Sequence, residues 1–276
     1  RSYGSVIDDI IAWGGEDNLV PEYGVTFLSV DFKDDVTEAM KNVTKDNIEV
    51  LVNQLSIASF GLKFTDPVQT FVETNVFFQY NPDYTNLSIN ALQEQVRNVM
   101  TNYFSSNTGK FGQAFRRSNL LALVDDVSPA ILSSRMDNKM QQRFTPSAGV
   151  EQNFTFSYPV PISVPDDVET IVESSTFKLT VSGVNYASCR VTNLLTSTKL
   201  QIIDVGSGDV VVDNVGSYDP SAGTISLVGF KTDEAKLIKL SCTPANASAV
   251  VPQREYILDY DNTRLSAKGI RTTASN

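Results

Sequence analysis

Histidine is absent from the 276 residues, and cysteine occurs only twice, at Cys189 and Cys242. Without histidine the chain lacks the commonest general base and the commonest metal ligand, and a Ser–His or Cys–His nucleophile pair is impossible. Zinc would need more thiolates than two cysteines far apart in sequence can supply. Both lie in strand-like apolar runs, "YASCRV" and "LIKLSCT", which reads as two buried free thiols, with a disulfide as the alternative. So little cysteine fits assembly in a reducing compartment. No run of eighteen apolar residues exists, so no transmembrane helix is expected. "SVIDDIIAW" is too short and too acidic for a signal peptide. Basic residues are outnumbered: 22 Lys and Arg stand against 32 Asp and Glu, for a formal net charge of -10. Such a chain is repelled by nucleic acid and by an anionic membrane unless a local basic patch prevails. Neither is an expected partner.

What is present is ordinary for a globular protein: 41% hydrophobic and 20% charged residues, enough for one good core or two modest ones. An opening at Arg1 without methionine carries the expectation of a piece of a longer protein. Asn-x-Ser/Thr sequons stand at Asn42, Asn86, Asn153 and Asn246, about as many as chance supplies in a chain rich in these residues, so they do not argue for secretion.

The two halves carry different periods. "YGVTFLSVDF" (23 to 32) alternates as a strand, with Val25 and Phe27 inward and Leu28 and Val30 as further candidates. Helix starts follow at Asp35 with Glu38 and again at Asp46 with Glu49, the spacing of a capping box. Ile48, Leu51, Val52 and Leu55 fall on one face of the second. Residues 60 to 80 are strand-like, interrupted at Pro67. Asn90 with Gln93 begins the clearest helix, whose apolar face is Leu92, Val96, Val99, Met100, Tyr103 and Phe104. Ser118 is placed to cap a short helix, and "AILSSRMDNKMQQRF" is extended. From about residue 154 onward, short β-branched runs near ten residues apart are separated by turn clusters, with one helical turn expected after Pro165. The expected fold is an α+β domain, helices on a small mixed sheet, over residues 1–148, followed by an all-β sandwich or small barrel over 149–276, with "TPSAG" at the boundary.

Several stretches carry candidate chemistry. "TGKFGQAFRRSNL" (108 to 120) holds Gly109, Lys110, Phe111, Gly112, Phe115, Arg116 and Arg117. It is no phosphate loop, because the lysine follows the first glycine and a helix precedes. Basic residues beside phenylalanines can stack on single-stranded bases, but three cations are a thin funnel in so acidic a chain. The stronger reading is a scaffold joint: Gly109 ends the helix in the left-handed conformation, Phe111 and Phe115 return the chain to the core, and Arg116 and Arg117 face solvent or a neighbour's carboxylates. The pairs Asp8–Asp9, Asp34–Asp35, Asp125–Asp126 and Asp166–Asp167 fit helix ends better than a catalytic pair, which must converge in space. "DVGSGD" (204 to 209) lacks the acidic density of a calcium loop and reads as a hairpin turn. Trp13, the single tryptophan, anchors "WGGEDNLVPEYG" as a packed turn, with a ligand pocket as the alternative.

Three stretches together, "AWGGEDNLVPEYGVTFLSV", "VRNVMTNYFSSNTGKFGQAFRRSNLLALVDDVSPAI" and "VGSYDPSAGTISLVGF", resemble the baseplate J-like family, in its branch of baseplate wedge proteins of T-even-type contractile-tailed phages, over their C-terminal portion. The resemblance implies a late structural protein of the virion tail baseplate, assembled in the host cytoplasm. It implies paired copies, as a homodimer or in ring contacts, that join wedges around the hub and touch other wedge proteins and those that start the sheath. It implies no enzyme activity, cofactor or metal. Interface residues are expected at Lys110, Arg116 and Arg117, and at Phe111 and Tyr84 as exposed aromatics. Two rival readings are a module of a tail protein that binds host glycan or another ligand through the turns "DVGSGD" and "SYDPSAG", and a hydrolase working through carboxylates alone.

Overall fold

The computed structural model describes residues 4–18, 20–55 and 61–272, with Leu55 described by its backbone alone. The chain forms two compact units, a smaller one of Arg1–Gln69, Gly109–Gln113 and Pro252–Leu258, and a larger one of Thr70–Thr108, Ala114–Val251 and Asp259–Asn276.

The smaller unit is a three-stranded sheet with one long helix. Strand β1 (Ile7–Gly14) pairs antiparallel with β2 (Val25–Phe32), helix α1 (Glu38–Leu55) follows, and β3 (Gly61–Thr65) lies parallel to β2. Parallel neighbours require a crossover, and α1 supplies it. The two helix starts expected at Asp35 and Asp46 are one helix. Thr37, not Asp35, serves its first turn, its Oγ1 accepting the Met40 N–H at 3.4 Å, and no glycine or proline interrupts residues 38–55. Leu28, Val30 and Ile48 are the buried core, flanked by Ile7, Phe32, Val52, Leu62 and Phe64. Leu51, expected inward, is exposed, and the Leu55 side chain lies outside the described residues. Phe27 turns out to stack on Trp13, with ring centroids 5.7 Å apart. The Trp13 turn is packed as expected: its Nε1–H donates to Asn18 Oδ1 at 2.9 Å. The Gly15 carbonyl accepts from Asn18 and Glu22, and a Cβ on Gly15 would lie 2.2 Å from the Glu22 carbonyl oxygen. Glycine is needed there for close backbone approach.

The larger unit begins with β4 (Val68–Tyr80), α2 (Ile89–Asn107), β5 (Phe115–Arg116), α3 (Arg117–Asp125) and β6 (Ile131–Phe144). Strands β7 (Gln152–Ser157), β8 (Val172–Ser174), β9 (Phe177–Val181), β10 (Val184–Asn193) and β11 (Lys199–Asp204) come next, then β12 (Val210–Asp219), β13 (Thr224–Phe230), β14 (Ile238–Cys242), β15 (Ala249–Val250) and β16 (Tyr256–Arg271). One sheet runs β16-β4-β6-β14-β8-β10-β11-β12-β13-β7, with β9 also on β10, and β15 pairs with β5. The chain is thus β-rich with few helices, as the strand-dense half led one to expect. The strand order, however, joins what the sequence divides into an α+β layer and a separate β domain. β6 takes β4 on one side and β14 on the other, with Phe144 opposite Ile238 and Met140 opposite Cys242. Residue 148 lies in the connection between β6 and β7, two strands of the same sheet.

Helix α2 starts two residues before Asn90, at a Ser88 cap whose Oγ accepts the Ala91 N–H at 3.3 Å. Its buried face is Leu92, Val96, Met100, Tyr103 and Phe104, with Val99 half-buried. Phe104 stacks on Phe115 and on Tyr260, at 5.7 and 5.4 Å. A second aromatic cluster joins strands distant in the pairing order: Phe144 packs on Phe154 and Phe156 at 4.7 and 5.0 Å, and Phe177 on Phe230 at 5.2 Å. The sheet therefore curls back on its own middle. No helical turn forms after Pro165; Asp166 Oδ1 accepts the N–H groups of Val168 and Glu169 instead, because aspartate competes with helical pairing for its neighbours' amides. Cys189 and Cys242 are buried free thiols.

Candidate interaction site

The segment from Thr108 to Asn119 splits into two parts. Thr108 closes α2 with an N–H to Phe104 C=O bond of 2.9 Å. Gly109 then adopts φ +98°, the left-handed turn expected of it. Its N–H leaves the helix and donates to the Leu258 carbonyl at 2.8 Å. Residues Gly109–Gln113 belong to the smaller unit as a strap. Phe111 bridges Ile257 there, and its N–H donates to Asp9 Oδ2 at 2.8 Å. Phe111 is accordingly half-buried, not the exposed aromatic expected, because its backbone is taken up in strand-like pairing. Lys110 is exposed, and so is Tyr84, at 64% of its surface, in a 3-10 turn over Pro82–Tyr84.

Arg116 and Arg117 sit in the larger unit, where β5 passes into α3. Phe115 is fully buried. The Tyr103 hydroxyl accepts the Arg116 N–H and donates to its carbonyl, both at 3.2 Å. The Arg117 N–H donates to the Ser248 carbonyl at 2.9 Å. Backbone is therefore locked on both sides of two guanidinium groups that form no ion pair among the described residues. Arg116 occupies the N-cap of α3 without a side-chain hydrogen bond, and Ser118, expected as the cap, bonds to Asn119 Oδ1. The helix starts one residue before a serine cap could act.

A polar network missed at the sequence level crosses the same sheet. Even-numbered β4 residues Val72, Val76 and Phe78 are buried in the core, while Phe71, Glu73 and Phe77 alternate onto the other face. Arg143 lies over the Phe71 ring at 3.5 Å and Arg135 over Phe77 at 4.1 Å. Gln141 donates to both Glu73 and Asp261, and Ser241 Oγ donates to Glu73 at 2.7 Å. Asp261 also receives Lys239, Thr263 and Arg143. Burial pushes the Asp261 carboxyl up, but the bonds from Lys239, Thr263 and Gln141 outweigh it and hold the group well below the usual carboxylate range. Lys139 pairs with Glu173 at 2.6 Å, and Arg190 with Glu173 at 3.5 Å. The signal available in sequence was alternation: Arg135, Asp137, Lys139, Gln141 and Arg143 occur at every second position of β6.

The carboxylate pairs take structural or solvent-facing places, with one exception. Asp204 and Asp219 accept the N–H groups of Ser207 and of Ser221 with Ala222, closing the turns assigned to ligand binding in the glycan reading. In the smaller unit Asp9 stands directly opposite Asp31 across β1 and β2. Burial, and then the charges of Asp8, Asp9 and Asp34, push Asp31 up to about 6. Asp31 and Asp34 line a cavity of about 430 Å³ with Lys41 and Lys45, whose ammonium groups pair with Glu38 and Asp66 at 2.7 and 2.9 Å. No set of three potential metal ligands converges among the described residues.

The larger unit thus presents a curled sheet, a backbone-locked joint at β5–α3 and a charged sheet face. Residues 1–61 match the family model described as baseplate structural protein gp6, C-terminal domain I, and residues 69–143 match that of C-terminal domain III. The first match lies within the smaller unit, and the second begins at Gln69, one residue before the larger unit opens at Thr70. The matches support a phage baseplate structural protein, located in the virion tail baseplate and interacting with other baseplate components. No curated protein matches the chain.

Proposed function

We propose that the chain is a wedge subunit of a contractile tail baseplate, of the baseplate J-like kind, in which copies pair and join wedges into a ring around the hub and contact the proteins that initiate the sheath. The observation that carries this reading is the order of the two gp6 matches on one chain, the first within the smaller unit and the second mostly on the larger. A ring subunit needs rigid units with patches that complement a neighbour's. The locked β5–α3 joint with its unpaired Arg116 and Arg117 supports such a patch, and exposed Lys110 and Tyr84 extend the candidates. Phe111 contributes by fixing the strap that carries Lys110. Assembly in the host cytoplasm follows from the same role. The test is reconstitution of wedges with Arg116→Glu/Arg117→Glu, read by electron microscopy. Ring closure is expected to be lost while wedge components stay soluble; undiminished rings would remove these arginines from the interface.

A further inference from the structure

Helix α1 carries two apolar faces, and the smaller unit covers one of them. Thr44 and Ile48 are buried, and Val52 packs against the core cluster. Met40, Val43, Val50 and Leu51 are instead 45% to 59% exposed. At about 3.6 residues per turn these four lie roughly a third of a turn from the buried side, grouped with exposed Asn47 and Gln54. Met40, Val43, Asn47, Val50 and Gln54 recur at steps of three, four, three and four, the spacing with which one helix seats against another. The solvent side of a surface helix is ordinarily polar. Four large apolar side chains exposed together on an 18-residue helix mark a contact surface.

We infer that this face of α1 docks a basic amphipathic helix of another baseplate protein, an assignment that rests on the wedge role proposed above. Charge selects the occupant. Residues 1–69 contain twelve Asp and Glu against five Lys and Arg, so this quarter of the chain holds -7 of its net -10. Each of its four lysines is engaged. Lys41 pairs with Glu38, Lys45 with Asp66 and Lys63 with Glu22, and Lys33 Nζ donates to the Gly4 carbonyl at 2.9 Å. Asp46 borders the apolar face, three residues from Val43 and four from Val50, and Glu49 lies one step beyond it. Both acids are exposed and form no ion pair among the described residues. A second copy of this chain brings the same acids to the contact and no free lysine to answer them. Nucleic acid and an anionic membrane meet the same repulsion. A helix with apolar residues along its seam and lysine or arginine beside them meets the exposed side chains and the two free carboxylates together. Asn47, at the centre of the seam, favours a partner with a polar group opposite it and so fixes the register.

The experiment is an NMR titration of the isotope-labelled chain, at physiological ionic strength, with three synthetic helical peptides. One carries leucine along the seam and lysine beside it, the second the same leucines with glutamate, and the third serine along the seam with the same lysines. Amide shifts along α1 are expected to saturate with the first peptide alone. Equal saturation by the glutamate peptide overturns the charge selection, and equal saturation by the serine peptide reduces the effect to bulk attraction; either result sinks the site, as does no saturation at all. Val43→Ser/Val50→Ser should weaken binding of the first peptide about tenfold or more. Both side chains are exposed, so an unchanged melting temperature separates lost docking from lost fold. Asp46→Lys/Glu49→Lys should shift the preference to the glutamate peptide, and an unchanged preference overturns the role of these acids. If the serine variant instead lowers self-association in sedimentation equilibrium while no peptide saturates, the face belongs to a second copy and the inference falls. The titration requires no ring, so its failure leaves the ring test at Arg116 and Arg117 standing.

Discussion

The smaller unit has a core cluster of Leu28, Val30 and Ile48 on a sheet of three strands, with Ile257 and Leu258 buried besides, whereas the larger unit buries Phe78, Phe104, Phe115, Phe177 and Phe230 completely. Their charges differ in the same sense. In the larger unit each buried carboxylate has donors arranged around it, as at Asp261. In the smaller unit Asp31 faces Asp9 across a strand pair, with Asp8 and Asp34 adding repulsion. Like charges directly opposite weaken a sheet pair. The larger unit is therefore built for rigidity. The smaller one is poised near the limit of what so small a core sustains, and its stability responds to protonation.

That contrast can be broken or sharpened by substitution. Phe104→Ala should produce the largest effect. It empties the centre of a stack that includes Phe115 and Tyr260, at about 3–5 kcal/mol, read from chemical denaturation of the larger unit's transition. Asp261→Asn should follow, at about 3 kcal/mol, because Lys239 and Arg143 lose the carboxylate they enclose. The pH signature has a definite sign. A carboxyl whose folded pKa is depressed contributes stability that is fully present above its unfolded value near 4 and is lost as pH falls through the folded pKa. Asp261→Asn should erase that acid-side loss, and an unaltered acid limb would show that the network does not carry it.

Val30→Ala in the smaller core should cost about 1–3 kcal/mol. Although smaller than the Phe104 effect, it should unfold the smaller unit first, detected as amide exchange rising across β1–β3 while the larger sheet stays protected. Equal loss of protection in both units would deny the contrast. Asp31→Asn should give the smallest change, and in the opposite direction: the variant is more stable than the parent at pH 7. In the parent, Asp31 binds its proton more tightly folded than unfolded, so acidification from pH 7 to pH 5 stabilises the unit, and that stabilisation fades as pH rises through about 6. Melting curves of parent and variant should converge near pH 4; a parent curve flat between pH 4 and 7 would remove Asp31 as its cause.

Local features were legible in sequence for a physical reason: they depend on spacing. The apolar face of α2, the break at Pro67, the packed turn at Trp13, the hairpin at Asp204 and the two buried thiols all reflect interactions within a few residues. β1 was missed because the adjacent acids in "IDDIIAWG" obscure alternation. The start of α3 was misplaced because the Tyr103 hydroxyl and the Ser248 carbonyl, not a serine cap, hold it. At the candidate site Arg117 was chosen from charge alone. The bonds that hold its backbone could not be, since Tyr103 and Ser248 reach the joint from other elements.

By itself, the sequence determined a histidine-free, acidic, strand-rich scaffold with a joint after α2, because composition and short-range periods carry that information directly. Only the tertiary structure decided which strands share a sheet. β6 finds β14 about a hundred residues further along the chain, and nothing in either strand's own period names the other. The same holds at the joint: Gly109 and Phe111 spend their amides on Leu258 and Asp9, while Arg116 and Arg117 form no ion pair among the described residues. Which cations are consumed and which are left for a neighbour depends on partners brought together by folding.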